Sequence, residues 1–366
     1  MTQPRMKVGL LFGGRSAEHD VSRMSAANIL RALDPERYDV VPIGITREGR
    51  WRLADAGNGV GTGARSLTIP DGAPDVVLVP GGGGEVIVMG GRDSLHLDLV
   101  VPVLHGPYGE DGTIQGLMEL ADLPYVGSGV MGSAAGMDKD VAKRLLRDAG
   151  VPVVPFVTVT ARAPMTYEAA SAALGTGDLF VKPANMGSSV GVSPARSAAE
   201  YEKACALAFA YDGKVLVERS VAGAREIECS VLEDGTGEVR ASPLGEIAPA
   251  ESHGFYSYDA KYVDANGAAL RVPADISDEQ SARAQELAVE AFRVLCCEGL
   301  ARVDFFLDPR DGSLFLNEVN TLPGFTSISM YPKLWEAGGL SQTALMDVLV
   351  EHGIARHRRR RALKAE

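Results

Sequence analysis

Short apolar segments and helical segments alternate along the first third of the chain. Residues 6–12 are apolar and lead, past two glycines, into a segment of helical periodicity for which Ser16 is the expected N-cap. Apolar segments return at 75–80 and 97–104, and a glycine-rich polar loop then precedes a helical segment at 113–121. Such alternation predicts an α/β domain with a mostly parallel sheet.

After residue 128 the pattern becomes that of two α+β units, separated by an expected hinge at 221–223. The first unit has predicted helices at 139–149 and 198–209 and predicted strands at 153–159, 178–183 and 214–218. The second has a predicted helix at 281–297 and predicted strands at 226–233, 238–247, 300–307 and 314–320. We therefore predict an N-terminal α/β domain (1–128), a small central α+β domain (129–220) and a C-terminal α+β domain (221–366).

A long polar and aromatic segment at 249–272 interrupts the C-terminal domain. Connections longer than about 12 to 15 residues are usually either functional lids or disordered. Disordered segments are poor in aromatic residues, whereas this one contains Phe255, Tyr256, Tyr258 and Tyr262. The composition predicts a lid over an active site.

Charge and cysteine usage narrow the class of protein. The formal net charge of -12 disfavours a general nucleic-acid binder, which must attract phosphate backbones. No apolar run of about 18 residues and no signal-peptide pattern occurs, so we expect a cytoplasmic protein without membrane contact. The cysteines lack disulfide or metal-site spacing and are predicted to be core thiols; they are Cys205, Cys229, Cys296 and Cys297.

The basic run at 356–361 is expected to be a solvated, partly disordered end of the chain. Contact with an acidic partner or a membrane surface is the alternative interpretation.

Polar residues suited to a metal ion lie on two predicted strands near the end of the C-terminal domain. Strand alternation places Arg302 and Asp304 on one face of the first strand, and Glu318 and Asn320 on one face of the second. Two carboxylates and an amide oxygen are hard ligands of the kind that magnesium prefers. The apolar opposite faces and the following turn at Gly324 favour a ligand site. An ordinary salt bridge on a solvated hairpin is the alternative.

A lysine within an apolar strand marks a second candidate site. Lys182 requires a negative partner there, and the small-residue loop at 185–191 offers backbone amides and hydroxyls suited to a phosphate. A snorkelling lysine beside an ordinary turn is the alternative. The chain has no G-x-x-x-x-G-K-[ST] loop, and it has no G-x-G-x-x-G followed by an acid about 20 residues on, so a nicotinamide dehydrogenase is disfavoured.

Two further observations give the chain a family resemblance. HGPYGEDGTIQG at 105–116 and ARVDFFLDPRDGSLFLNEVNTLPG at 301–324 resemble, in order and spacing, two signatures of the D-alanine-D-alanine ligases of the ATP-grasp superfamily. The resemblance covers nearly the whole chain. It implies an ATP-grasp fold that binds nucleotide between the central and C-terminal domains. It also implies ATP-dependent joining of two D-alanine molecules for peptidoglycan precursor synthesis, by a homodimer.

The resemblance assigns nucleotide and metal contacts to particular residues. The residues expected to contact the ATP phosphates are Lys139, Lys182, Ser188 and Lys261. Adenine is expected to meet Glu218 and the backbone of Arg219 and Val221, and Glu226 is expected to hold the ribose. The implied ligands of two magnesium ions, which manganese can replace, are Asp304, Glu318 and Asn320.

The resemblance also assigns residues to the two amino-acid substrates. Glu18 is expected to receive the ammonium group of the first D-alanine, near His105, and to be hydrogen-bonded with Ser188 and Tyr262. Arg302 and Gly324 are expected to hold the reacting carboxylate and later the tetrahedral oxygen. Ser329 and Met330 match the pair that grips the carboxylate of the second substrate.

Two alternatives remain open. Relatives place D-lactate or D-serine in the second position, although a tyrosine at position 262 is typical of D-alanine. A catalytically silent nucleotide-binding scaffold is the other alternative, because a fold alone does not prove activity.

Overall fold

A computed structural model of the chain describes residues 4–54, 66–91, 94–249 and 268–363. The helices in these ranges are α1 (His19–Ala32), α2 (Thr113–Leu120), α3 (Val130–Met137), α4 (Lys139–Asp148), α5 (Tyr167–Leu174), α6 (Ala198–Phe209), α7 (Asp278–Val294), α8 (Met330–Ala337) and α9 (Gln342–Ala362). The first eight strands are β1 (Met6–Gly13), β2 (Tyr38–Ile45), β3 (Trp51–Leu53), β4 (Val76–Leu78), β5 (Glu85–Val88), β6 (Ser94–His96), β7 (Leu99–Val103) and β8 (Phe156–Thr160). The remaining strands are β9 (Leu179–Pro183), β10 (Ser193–Ala195), β11 (Lys214–Arg219), β12 (Arg225–Glu233), β13 (Val239–Pro249), β14 (Ala268–Arg271), β15 (Leu300–Leu307) and β16 (Leu314–Asn320).

The N-terminal sheet has the strand order β3-β2-β1-β7 and is mostly parallel, as predicted. Its central strand is apolar and buried from Val8 onward because both faces are covered, and Val8, Leu10 and Phe12 are in the core. The loop after β1 differs from the prediction, because α1 has Glu18 rather than Ser16 at its N-cap. The Ser16 hydroxyl instead accepts a hydrogen bond from the backbone of Glu18, a local turn that delays the helix.

The strand predicted at 75–80 does not join the parallel sheet. It forms β4 in a separate antiparallel sheet with β5 and β6. A parallel connection needs a crossover of about a dozen residues or more, and only 79–84 separate β4 from β5. The short loop therefore permits only a hairpin.

The central antiparallel sheet has the order β10-β9-β11-β8, and α5 and α6 pack on it through Ala170, Tyr201 and Ala204. The C-terminal antiparallel sheet has the order β14-β13-β12-β15-β16. Helix α7 covers one of its faces, and α4 adds Ala142 and Leu146 to the same core. The helix that begins with Lys139 is therefore anchored to the C-terminal sheet.

The predicted loop at 249–272 is only partly irregular. Strand β14 pairs with the end of β13, for example Leu270 with Ile247, so the prediction of an unstructured segment is wrong for 268–271. The other residues on which the lid depends, among them Lys261 and Tyr262, lie outside the described residues.

The basic end of the chain is helical rather than disordered, and residues 358–361 are exposed to solvent as predicted. Helix α9 continues to Ala362 and packs against α1 and the N-terminal sheet through Leu345, Met346 and Leu349. The side chain of Arg356 is buried. Its partners come from segments distant in sequence, and for that reason the prediction of a solvated side chain is wrong for Arg356.

The thiols of all four cysteines are free. Cys229 and Cys297 are buried, as predicted, but Cys296 is exposed because it follows the last turn of α7 in a left-handed conformation (φ +53°). None of the helices in the described ranges combines the length and the apolar character needed to span a lipid bilayer.

Candidate active site

The hairpin of β15 and β16 brings four predicted polar residues together. Arg302 pairs with Asn320 and Asp304 with Glu318 across the two strands, so all four side chains share a face. The Arg302 guanidinium donates to both oxygens of Asp304 at 2.7 Å, and the Asn320 amide donates to Asp304 at 3.0 Å. The opposite face contributes Val303, Phe305 and Val319 to the core.

Burial and ion pairing control the charge of Arg302. Burial alone would lower the pKa of Arg302, but the carboxylates of Asp304 and Glu228 outweigh it and raise the pKa well above the usual value. Glu228 lies 3.0 Å from the Arg302 guanidinium and pairs with Asp304 across β12 and β15. Arg302 is therefore a permanent cation held between two acids, and the contact with Glu228 was not predicted.

The oxygens of Asp304, Glu318 and Asn320 fit a magnesium site. They occupy adjacent positions on the paired strands, and two carboxylates with one amide form a donor set that suits this ion when nucleotide phosphates complete the shell. Lys139 lies 3.2 Å from Glu318. A lysine from α4 therefore adjoins the face that carries the candidate ligands.

A strand irregularity adds a residue that was not predicted. The register shifts after Asp304, and Asn317 stands between the residues paired with Asp304 and Phe305. Bulges of this kind redirect a side chain, and the Asn317 amide oxygen accepts from Lys182 at 3.1 Å. The predicted lysine site and the predicted metal site therefore touch.

A buried ion cluster surrounds Glu218. Lys182 lies 2.8 Å from one carboxylate oxygen and Lys143 lies 2.5 Å from the other. Burial would raise the pKa of Glu218, but Lys143 and then Lys182 outweigh it and hold the pKa below its usual value. Burial lowers the pKa of Lys143 to about 8 despite this carboxylate. Lys182 thus has the negative partner that the sequence required, and Lys143 was missed.

The glycine-rich loop at 185–191 is fixed at its first two residues. The Asn185 backbone and side-chain amides donate to Asp212, each at 2.8 Å, and the Lys139 ammonium donates to the Met186 carbonyl at 2.8 Å. Ser188 and Ser189 have φ values of +51° and +57°, a left-handed conformation that ordinary residues adopt only where the surroundings impose it.

Glu18 connects this loop to the N-terminal sheet. The Ser188 hydroxyl donates to one carboxylate oxygen of Glu18. A Cβ atom at Gly187 would lie 3.0 Å from the other oxygen, and one at Gly106 would lie 3.1 Å from it. Residues far apart in sequence therefore meet at Glu18, and the predicted hydrogen bond with Ser188 is present.

His105 and Glu110 lie in the same buried region. The His105 ring contacts the Leu322 carbonyl at 3.1 Å, and burial lowers its pKa although Glu18 acts in the opposite direction. Glu110 accepts from the Gly106 amide at 2.6 Å. Burial, and then the charge of Glu18, raise the pKa of Glu110 to about 8. The HGPYGEDG segment thus supplies a buried histidine and a second carboxyl group that was not assigned a role.

The turn after β16 carries Gly324, Ser329 and Met330. A Cβ atom at Gly324 would lie 2.9 Å from the Ser329 hydroxyl, which also accepts from the Thr326 amide at 2.9 Å. The Met330 side chain packs with Ile247 in an apolar cluster. Ser329 is the N-cap of α8 and makes no side-chain cap bond, so Met330 presents only its backbone amide at this helix end.

The remaining nucleotide residues follow β11. Arg219 ends that strand, and its guanidinium lies over the Phe315 ring at 5.6 Å. Val221 and Glu226 are half-buried, Val221 in the turn that follows and Glu226 on β12. Lys261 and Tyr262 lie outside the described residues.

Comparison with known proteins gives a consistent family. Residues 7–128 match the family model described as D-ala D-ala ligase N-terminus, and 145–351 match D-ala D-ala ligase C-terminus. A D-alanine–D-alanine ligase B from Bradyrhizobium diazoefficiens is 65% identical, over 99% of this chain and 97% of the relative. A D-alanine–D-alanine ligase from a Methylobacterium species is 58% identical, over 97% and 93%.

Solved structures agree in fold. The D-alanine-D-alanine ligase from Coxiella burnetii has a TM-score of 0.83 and 35% identity, over 98% of this chain and 96% of that chain. The VanG D-Ala:D-Ser ligase from Enterococcus faecalis has a TM-score of 0.81 and 36% identity, over 96% and 100%. The predicted family resemblance and the predicted ATP-grasp fold are confirmed. The chain belongs to the D-alanine-D-alanine ligase family of ATP-grasp enzymes, and membership implies ATP as a substrate.

Proposed function

We propose that this chain joins two D-alanine molecules to D-alanyl-D-alanine at the expense of ATP, for peptidoglycan precursor synthesis. The observation that carries the proposal is that the loop at 185–191 contacts Glu18 directly and the face that carries Arg302 through Lys139. Glu18 accepts from Ser188 of the glycine-rich loop, and Lys139 connects that loop to Glu318 on the Arg302 face. An acid suited to an ammonium group thus adjoins a region suited to nucleotide phosphates.

The proposed reaction begins with phosphoryl transfer to the first D-alanine, whose ammonium group is held by Glu18 near His105. A carboxylate oxygen of the substrate attacks the γ-phosphorus of ATP, the bond to the bridging oxygen breaks, and ADP leaves. Lys139 and Lys182 offset the phosphate charge. Asp304, Glu318 and Asn320 would hold magnesium, which supplies further charge neutralisation. We expect two ions, which manganese can replace.

The second D-alanine then forms the peptide bond. Its deprotonated amine attacks the acyl carbon, and phosphate departs with the electron pair of the broken carbon-oxygen bond. Arg302 and a backbone amide near Gly324 would stabilise the tetrahedral oxygen. Ser329 and the backbone of Met330 would hold the carboxylate of this substrate. We also assign to Tyr262 a hydrogen bond with Glu18, and to Lys261 a contact with the ATP phosphates.

Adenine recognition is assigned to Glu218 with the backbone of Arg219 and Val221, and ribose recognition to Glu226. We further propose a cytoplasmic homodimer that contacts neither nucleic acid nor membrane. The domain limits 1–128, 129–220 and 221–366 stay predictions.

A coupled ADP-release assay with product analysis tests the reaction and the substrate together. We expect ADP release to require D-alanine and dipeptide to dominate over D-alanyl-D-serine or the D-lactate depsipeptide across a pH series. ADP release independent of D-alanine would favour a silent nucleotide-binding scaffold. Dominant D-serine or D-lactate incorporation would assign the chain to the alternative ligases.

A further inference from the structure

Lys143 belongs to the buried ion cluster around Glu218, yet the proposed reaction gives it no task. It lies on α4, one turn after Lys139, and its side chain is only 1% exposed to solvent. In the part of the chain that the structure describes, Glu218 is the only ion-pair partner of its ammonium group. A buried lysine is retained only where its charge is compensated.

Glu218 has one lysine on each oxygen. Lys143 lies 2.5 Å from Oε1 and Lys182 lies 2.8 Å from Oε2. These two lysines differ in their other contacts, because Lys182 also donates to Asn317 on β16 whereas Lys143 faces the Phe156 ring at 6.0 Å. Lys182 therefore extends toward the β15–β16 hairpin that carries Arg302, whereas the ammonium group of Lys143 pairs with Glu218 alone among the described residues.

Nucleotide binding would change the number of counter-charges beside Glu218. If Lys182 turns from Glu218 toward the phosphates, Glu218 loses one of its two counter-charges while it stays buried. Removing one member of a buried ion pair is strongly unfavourable because the other is left uncompensated. Without Lys143, the Glu218 carboxylate would then have no counter-charge and would either take up a proton or move. Either change would disturb its contact with adenine.

We propose that Lys143 is a positioning residue that keeps Glu218 ionised and in place while Lys182 engages the nucleotide phosphates. The inference rests on the proposed roles of Glu218 and Lys182 in binding ATP. It predicts that Lys143 matters for nucleotides with phosphates and much less for adenosine, because adenosine does not draw Lys182 away from Glu218.

The test compares Lys143→Met with a matched control, Lys214→Met. Lys214 lies on β11, the strand that also carries Glu218, but it pairs with Asp138 and Asp140 and not with Glu218. Dissociation constants for ADP and adenosine are measured by calorimetry and by ligand-observed NMR. We expect Lys143→Met to weaken ADP binding by at least about tenfold and adenosine binding by less than about threefold. Equal loss for both ligands, or no loss, would overturn the inference.

Proton uptake gives a second readout. In Lys143→Met, ADP binding should take up a proton near neutral pH, which calorimetry in buffers of different ionisation enthalpy detects. Lys214→Met should bind ADP as the unmodified chain does. Absence of this proton uptake in a Lys143→Met protein that binds ADP weakly would contradict the proposed charge on Glu218.

A double variant covers the case in which Lys143→Met does not fold. Glu218→Gln removes the need for a counter-charge, so the double variant with Lys143→Met should bind ADP within about threefold of Glu218→Gln alone. A larger difference would show that Lys143 acts independently of Glu218. Failure of the proposed function gives a different result, because the unmodified chain would then bind no ADP or release it without D-alanine.

Discussion

Two acids, Asp304 and Glu228, fix the position of the Arg302 guanidinium without taking part in bond formation themselves. The guanidinium contacts Asp304 at 2.7 Å and Glu228 at 3.0 Å. When Asp304 is engaged by a metal ion, Glu228 would still hold the guanidinium in place. The strand alternation predicted that Arg302 and Asp304 share a face. It did not predict the contact with Glu228, because Glu228 lies on another strand, 74 residues earlier in the chain.

Arg302→Ala should damage turnover far more than nucleotide binding. Loss of one donor to a tetrahedral oxygen typically lowers kcat by about 10² to 10³, whereas we expect the dissociation constant for ADP to change by less than about threefold. Steady-state kinetics and calorimetry measure the two effects. Glu228→Gln, which keeps the side-chain shape, should lower kcat by a smaller factor. Weaker nucleotide binding with normal turnover would refute the role of Arg302.

Glu110 should make the stability of the fold depend on pH. Its pKa is raised to about 8 from a usual value of 4.5, by burial and then by Glu18. Between these values the folded chain holds a proton that the unfolded chain has released, so the contribution of Glu110 to stability is greatest below pH 4.5 and is lost as pH rises through 8. The slope for one proton is at most about 1.4 kcal/mol per pH unit.

Urea unfolding of the wild type and of Glu110→Gln between pH 5 and about pH 9 measures the contribution of Glu110 to the free energy of unfolding. The amide mimics the protonated carboxyl group, so its advantage over the wild type should grow as pH rises and level off above about pH 8. Parallel stability curves for the two proteins would show that Glu110 titrates normally.

At the scale of elements, sequence periodicity predicted the helices and strands that depend on residues close together in the chain. The strand β1, the helix α7 and the β15–β16 hairpin all follow from periodicity, although α7 begins at Asp278 after a Ser277 capping box and not at the predicted residue 281. Patterns did not predict that Asn317 stands out of register and contacts Lys182. Nor did they predict Lys143, because its ion partner Glu218 lies 75 residues later in the chain. Such contacts depend on how whole elements pack.

Helix α9 is the clearest case of this dependence. Arg356, near its end, lies 3.1 Å from Glu298, donates to the Gly127 carbonyl at 3.2 Å and covers the Tyr125 ring at 3.9 Å. These partners come from two separate segments, 125–127 and the turn that follows α7. The arginine therefore joins the C-terminal helix to the segment that leads from the N-terminal sheet into α3.

Arg356→Met should destabilise the fold by about 2 kcal/mol, because it removes the buried hydrogen bond to the Gly127 carbonyl and the ion pair with Glu298. The matched control is Arg359→Met, which removes an exposed arginine that donates to the Gly235 carbonyl at 3.0 Å. We expect the control to change stability by less than about 0.5 kcal/mol. Urea unfolding compares the two variants, and equal effects would mean that Arg356 contributes no more to stability than an exposed arginine.

At the scale of the whole molecule, the contact between Glu18 and Ser188 joins parts of the chain 170 residues apart. Glu18 adjoins Gly106 of the N-terminal unit, and Ser188 belongs to the loop that Lys139 also contacts. A ligand that orders this loop should therefore help to fix Glu18, and a ligand that engages Glu18 should help to order the loop. Such coupling is reciprocal by thermodynamic necessity.

Ser188→Ala should reduce the coupling between nucleotide and D-alanine more than either affinity alone. In the wild type we expect ADP to tighten D-alanine binding by about fivefold or more, and D-alanine to tighten ADP binding by the same factor. Calorimetric titrations of each ligand, with and without the other, measure both factors. In Ser188→Ala both should fall toward one, because the left-handed loop no longer has its hydrogen bond to Glu18. If the coupling stayed unchanged while both affinities fell equally, Ser188 would be a binding residue for each ligand and not the connection between them.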